Sequence, residues 1–207
     1  TGDFYMGPDH NNNTGGGGIY SIGGEFKMTG GIVESNTVNK RNSSSTCYGG
    51  GVYAKGFVIN GGTISNNTSQ VYGGGISGND AKINGGIIKG NTAEYGGGVA
   101  GGFIEITSGE ILQNKAEKYG GGLYIRGSIK MTGGKISENT ASVDGGGVYN
   151  EGTFEVRDAA TVIDNGENKD NNVRMNSDHP IIVTGKCIGK INVNAPEFNQ
   201  VAVKAIP

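Results

Sequence analysis

Gly73-Gly74-Gly75-Ile76-Ser77-Gly78-Asn79-Asp80-Ala81-Lys82-Ile83-Asn84-Gly85-Gly86-Ile87-Ile88-Lys89-Gly90-Asn91 is one complete copy of the pattern that governs this chain. It opens on a glycine triplet and an aliphatic residue and passes through an apolar-x-apolar triplet. It closes on a small pair followed, six positions from the start of that pair, by Asn. The opening block recurs at Gly16–Ile19, Gly49–Val52, Gly96–Val99, Gly120–Leu123 and Gly145–Val148, and successive first glycines lie 33, 24, 23, 24 and 25 positions apart. A fixed period of this length means stacked equal units, each unable to bury its apolar face alone.

The middle block reads Phe26-Lys27-Met28, Phe57-Val58-Ile59, Ala81-Lys82-Ile83, Ile104-Glu105-Ile106, Ile129-Lys130-Met131 and Phe154-Glu155-Val156. The closing block ends at Asn36, Asn67, Asn91, Asn114, Asn139 and Asn165. Alternation over three or four residues predicts short strands, and the Gly pairs and Asn predict corners. No unit carries a 3.6-residue period. The expected fold is all-β, a right-handed single-stranded parallel β-helix of about 24 residues per three-strand rung. Six rungs at the strand spacing give a rod section of about 29 Å. Parity sends Ile19, Val52, Ile76, Val99, Leu123 and Val148 into one inward column. Val33, Ile64, Ile88, Ile111, Ile136 and Val162 form a second, and the middle-block apolars form the third wall. The Asn column predicts an internal amide ladder.

Composition limits the rest. The chain has 207 residues, 42 of them Gly, no Trp, and a formal net charge of −2. Without a Lys/Arg cluster no nucleic-acid partner is expected. No run approaches a membrane span, so no direct membrane insertion is expected, and no signal peptide stands within these residues. The chain opens mid-pattern at Thr1 and is expected to be an excised or processed fragment. Residues 1–15 are expected to be an N-terminal cap or partial rung, 16–166 the six-repeat β-helix, and 167–207 degenerate final rungs and a C-terminal cap. The connection from Thr37 to Tyr48 is the one long irregular loop. Cys47 in that loop and Cys187 near the far end are expected to lie several rungs apart, so no disulfide between them is predicted.

Gly73-Gly74-Gly75-Ile76 with Ile88-Lys89-Gly90-Asn91 resembles the polymorphic-outer-membrane-protein type of repeat, which pairs Gly-Gly-Ala-Ile-like and Phe-x-x-Asn tetrapeptides. Gly here replaces the Ala, and Ile or Val the Phe. Gly133-Gly134-Lys135-Ile136-Ser137-Glu138-Asn139-Thr140-Ala141 is closer still to the repeats of adhesin-like surface proteins of gut bacteria and methanogenic archaea. Over about residues 15–185 the resemblance implies a secreted, cell-surface β-helix used for adhesion or display, without naming a ligand. A host or environmental glycan or a surface protein would then be the partner.

Eight of the nine tyrosines fall in two columns. Tyr48, Tyr72, Tyr95 and Tyr119 precede a Gly triplet; Tyr20, Tyr53, Tyr124 and Tyr149 follow the inward aliphatic, so parity points them outward. Aromatic rows at rung spacing are the binding candidates, able to stack on sugar rings or meet a protein. Ser77 and Ala100 interrupt the second column and predict a shallow gap. Replacing Tyr53 and Tyr124 by Ala is expected to weaken binding with little loss of stability. The alternative is a carbohydrate-active enzyme. Glu138 and Asp164 occupy matching positions on adjacent rungs, about 5 Å apart, where two carboxylates could act on a glycosidic bond. Their column otherwise reads Ser35, Asn66, Gly90 and Gln113, and no aromatic floor recurs beside it, so no catalytic role is expected. A purely structural stalk is the third reading. Lys82, Glu105, Lys130 and Glu155 alternate in sign up the stack and predict a solvated face with modest cross-strand pairing. His10 and His179 lie at opposite ends, and no metal site or cofactor is expected. The Thr37, Thr68, Thr92 and Thr140 column is broken by Lys115 and Gly166, so a regular ice-binding face is not expected.

Overall fold

The computed structural model describes residues 4–5, 14–167, 171–175 and 179–192. His10, Val193, the Val201–Val203 alternation and most of the expected caps lie outside the described residues. The fold is an all-β parallel solenoid of about five turns, which matches the five steps between the first glycine triplet and the sixth.

The repeat period has become hydrogen-bond register. The first wall pairs Ile19 with Val52, Val52 with Ile76, Ile76 with Val99, Val99 with Leu123 and Leu123 with Val148. The second aligns Phe26, Phe57, Ala81, Ile104, Ile129 and Phe154. The third aligns Val33, Ile64, Ile88, Ile111, Ile136 and Val162. These columns form one continuous core in which Val52, Ile76, Val99, Leu123 and Val148 are wholly buried. A fully buried aliphatic side chain contributes roughly 1.5–3 kcal/mol, so a thin core serves when every turn adds the same set. Ile19 and Val33, on the first turn, are only partly buried.

Each turn also carries a short parallel strand between the Asn corner and the next triplet. Thr37–Val38, Thr68–Ser69, Thr92–Tyr95, Lys115–Tyr119 and Thr140–Ala141 stack as a five-stranded sheet. These segments contain too few apolar residues to announce themselves as strands. After Val38 on the first turn their inward positions are small (Ser69, Ala93, Ala116), which lets the backbone lie close to the core. Past residue 166 the winding continues. Val173–Met175 pairs beside Val148–Asn150, Ile181–Cys187 runs beside Phe154–Asp158, and Ile191 bridges Val162. At the other end Phe4–Tyr5 pairs antiparallel to Tyr20 and Ser21.

The Asn column is the internal ladder its spacing predicts. In Asn67 the backbone N–H and Nδ2 both donate to Oδ1 of Asn91, at 2.9 and 3.0 Å, while Nδ2 also donates to the Val33 carbonyl at 3.0 Å. Asn91, Asn114 and Asn139 repeat this arrangement. Each buried amide of the ladder is thereby matched, which is the condition for placing polar groups in a core. Outside the ladder, Oδ1 of the buried Asn150 meets no hydrogen-bond donor among the described residues. The last partner is Asn172, whose Oδ1 accepts both bonds from Asn165. Because Val173 pairs with Val148, Asn172 stands in register with Gly147, the third glycine of a triplet.

Each glycine of a triplet has its own reason. The first adopts a left-handed conformation, φ 61° at Gly49 and 64° at Gly73. A Cβ on the second would meet the next turn's carbonyl oxygen, 2.4 Å away for Gly74 against Gly97. A Cβ on the third would meet the Asn amide, 3.0 Å for Gly75 against Nδ2 of Asn91. The triplet and the Asn thus recur together because the third glycine makes room for the amide.

Candidate functional site

The two tyrosine columns meet in one strip. Tyr48, Tyr72, Tyr95 and Tyr119 stack in sequence at ring-centroid separations of 5.6, 5.2 and 6.0 Å. In the second column Tyr20 stacks on Tyr53 at 5.4 Å and Tyr124 on Tyr149 at 5.6 Å. Cross contacts of Tyr48 with Tyr53 and of Tyr119 with Tyr149, at 5.4 and 4.7 Å, join the columns, so all eight rings are connected. The strip runs along the seam where the short fourth strands enter the triplets, and Tyr48–Tyr72 and Tyr72–Tyr95 bridges hold it in register.

Tyr124 departs from the expected pattern. Parity points it outward, yet it is only 9 % exposed. The small Ser77 and Ala100 at the matching positions of the two preceding turns leave room for its ring, which lies 6.1 Å from Tyr72 and 5.2 Å from Tyr95. The predicted gap is therefore lined by a ring that packs from the turn above. Its hydroxyl donates to Glu151 Oε1 at 2.8 Å. Removing Tyr124 should cost on the order of 3 kcal/mol as a buried aromatic, which overturns the expectation that it can be truncated with little loss of stability. Tyr20 is buried as well, at 6 %.

The stacking also changes what the strip can present. Neighbouring planes lie 15–27° apart along the first column, within offset-stacked geometry. Ring faces are therefore turned toward one another. A sugar that needs an open aromatic face finds Tyr72 flanked by Tyr48 and Tyr95, with the Arg126 guanidinium 6.0 Å from its centroid. Tyr95 has Lys118 Nζ at 5.3 Å, and that ammonium also donates to its hydroxyl at 3.3 Å and pairs with Glu94. Farther up, Arg174 pairs with Asp144 at 3.3 Å. The accessible chemistry is ring edges and hydroxyls bordered by charges of both signs.

Burial raises the phenol pKa of Tyr124 above the ordinary tyrosine value, and the bond to Glu151 adds to it. Burial also raises those of Tyr72 and Tyr149, with Arg126 opposing the rise at Tyr72. The hydrogen bonds to Glu94 and Tyr95 hold the Lys118 ammonium above its usual range. Arg126, Glu151, Lys118 and Glu94 were not singled out from sequence. Each lies outside the repeated positions, and the absence of Tyr at positions 77 and 100 was the only hint of them.

Glu138 and Asp164 have a conformational account. Ser35, Asn66, Gly90, Gln113, Glu138 and Asp164 all take positive φ, between 54° and 64°. The column is a left-handed corner immediately before the Asn ladder, which suits Gly, Asn and Asp and costs other residues roughly 1–2 kcal/mol. Glu138 is exposed and accepts a bond from Gln113 Nε2 at 2.9 Å. Glu105 lies 4.0 Å from Lys82 and 3.9 Å from Lys130, as the alternation of signs predicts. Cys47 is fully buried with Val38 and Val71 at the base of the long loop, and it begins a strand rather than lying in the loop itself. The side chain of Cys187 lies outside the described residues. Among the described residues, no group of three or more His, Cys, Asp or Glu side chains could hold a metal ion.

Fold and site together define the class, an all-β parallel solenoid with an internal asparagine ladder and an external tyrosine strip. Family models, curated proteins and solved structures yielded no match to the chain.

Proposed function

We propose that this chain is a non-catalytic β-solenoid segment of a microbial cell-surface protein of the adhesin-like kind. It serves outside the cell as a stiff spacer and carries the tyrosine strip as its contact surface for a host or environmental glycan or a surface protein. The observation that supports the reading is the unbroken eight-ring strip on one seam of the rod. The repeat needs the glycines, the aliphatics and the asparagines for its own stability. It does not need tyrosine on both sides of the triplet, since Ser77, Ala100 and Asp144 occupy equivalent positions. With ring faces turned to one another, the strip suits a partner that hydrogen-bonds to hydroxyls and packs on ring edges.

A glycan array probed with the purified chain, alongside a Tyr48→Ala/Tyr53→Ala variant, tests this reading. Both residues are partly exposed. Binding without turnover that the variant loses is the expected result. Turnover of a bound glycan that Glu138→Gln abolishes would establish the enzyme instead. Silence on the array, with no loss of cell-surface attachment in the variant, would leave a structural stalk.

A further inference from the structure

The strip brings phenols closer together than binding requires. Tyr119 and Tyr149 lie on successive turns with ring centroids 4.7 Å apart and planes tilted by 41°, the shortest ring separation among the eight. Both rings are partly exposed. Their neighbours are less available: Tyr124 is buried with its hydroxyl committed to Glu151, and the Tyr95 hydroxyl accepts from Lys118. The tilt turns one ring edge toward the other, whereas the more nearly parallel pairs lie 5.2–6.0 Å apart. Coupling two phenols needs ring-edge carbons to meet, and neighbouring hydrogen-bonded turns already hold these two rings side by side.

We propose that Tyr119 and Tyr149 are a site of oxidative dityrosine cross-linking, which joins two successive turns of the solenoid covalently when the chain meets a peroxide-driven one-electron oxidant. Each phenol gives one electron to the oxidant and its hydroxyl proton to solvent, leaving a phenoxyl radical with spin density on the ring carbons beside the oxygen. One such carbon from each ring forms the new carbon–carbon bond. The hydrogen on each bonded carbon then shifts to the oxygen and restores the phenol. Two tyrosines and one hydrogen peroxide yield one dityrosine and two waters. The remaining ring contacts allow an oxidising equivalent that enters elsewhere on the strip, at Tyr48 or Tyr72, to migrate to the pair. The cross-link closes the intervening chain into a covalent loop and so restricts the unfolded state, as a disulfide does.

The test treats the purified chain with a heme peroxidase and hydrogen peroxide, with free tyrosine in a parallel tube as the coupling control. The expected product migrates as a monomer and shows dityrosine fluorescence. It yields one tryptic pair linking Tyr119–Arg126 to Ile136–Arg157 with the loss of two hydrogens, and it melts at a higher temperature than the untreated chain. Tyr149→Phe and Tyr119→Phe should each abolish that pair, whereas Tyr124→Phe should retain it. That last variant is needed because Tyr119 and Tyr124 share a peptide. Covalent dimers alone, a link mapped to another pair, or no link while the control couples would each overturn the proposal. Melting of the untreated Phe variants separates loss of coupling from loss of fold.

Discussion

The backbone N–H and the side-chain Nδ2 of Asn91 both donate to Oδ1 of Asn114, each at 2.9 Å. One oxygen thus takes two donors from the turn before it, and the same pair of bonds arrives at Asn91 from Asn67. Asn91→Ala orphans two buried donors on Asn67 and removes the donor to the Ile64 carbonyl. At about 1–3 kcal/mol for each unmatched buried group, the expected loss is about 3–5 kcal/mol by denaturant unfolding. Asn36 begins the ladder and is partly exposed, so water can replace what it loses, and Asn36→Ala should cost under about 1.5 kcal/mol. Equal losses at the two sites would refute the ladder's role.

Gly74 and Gly23 make a matched pair for the second prediction. A Cβ at Gly74 meets the Gly97 and Thr92 carbonyl oxygens, both at 2.4 Å, while one at Gly23 finds nothing within 4 Å. Gly74→Ala should destabilise by about 3 kcal/mol or more, because backbone must shift in two places. Gly23→Ala should be neutral or should stabilise by up to about 1 kcal/mol through the unfolded chain. Thermal unfolding of the two variants decides it.

Alkali should loosen the rod through the strip. Burial raises the phenol pKa values of Tyr124, Tyr149 and Tyr72 above 10.0. Between the unfolded and folded values the native state holds protons that the unfolded state has released. Stability is therefore whole below pH 10 and falls as pH climbs through the folded values. Ultraviolet titration should show phenols that ionise above the ordinary tyrosine value. Tyr124→Phe should lower stability at neutral pH and flatten its alkaline decline; an unchanged alkaline slope would count against burial as the cause.

Glu138 supplies the fourth. Its φ of 59° matches the 64° of Gly90 at the equivalent corner two turns earlier. Glu138→Gly should therefore fold normally, with a stability equal to or up to about 1 kcal/mol above the parent. The measurement is a melting curve, and a marked loss would show that the carboxylate does more than stand at a corner.

Much of this was legible in the chain. The columns through Ile76, Ala81, Ile88 and Asn91 followed from spacing, because in a stacked solenoid the sequence period is the hydrogen-bond register. Non-repeating features were harder to read. Asn172 closes the ladder from a glycine position, which no alignment of repeats assigns to it. Tyr124 fills the space over Ala100 from the turn above, and parity specifies only a side chain's face, not its lean along the rod. The short stack containing Thr68–Ser69 and Thr140–Ala141 is held by backbone bonds to neighbouring turns, with almost no apolar signature of its own.

By itself, then, the sequence determined the solenoid, its inward columns and its amide ladder, because those interactions recur with the period and reinforce one another at every turn. The tertiary structure alone decided that the tyrosines close into one strip with their faces turned together. It also assigned Glu138 and Asp164 to a left-handed corner and brought Tyr119 to 4.7 Å from Tyr149. The ring contacts depend on distances between side chains of different turns, and the corner on a backbone conformation shared by the six stacked positions; residue order along one turn encodes neither.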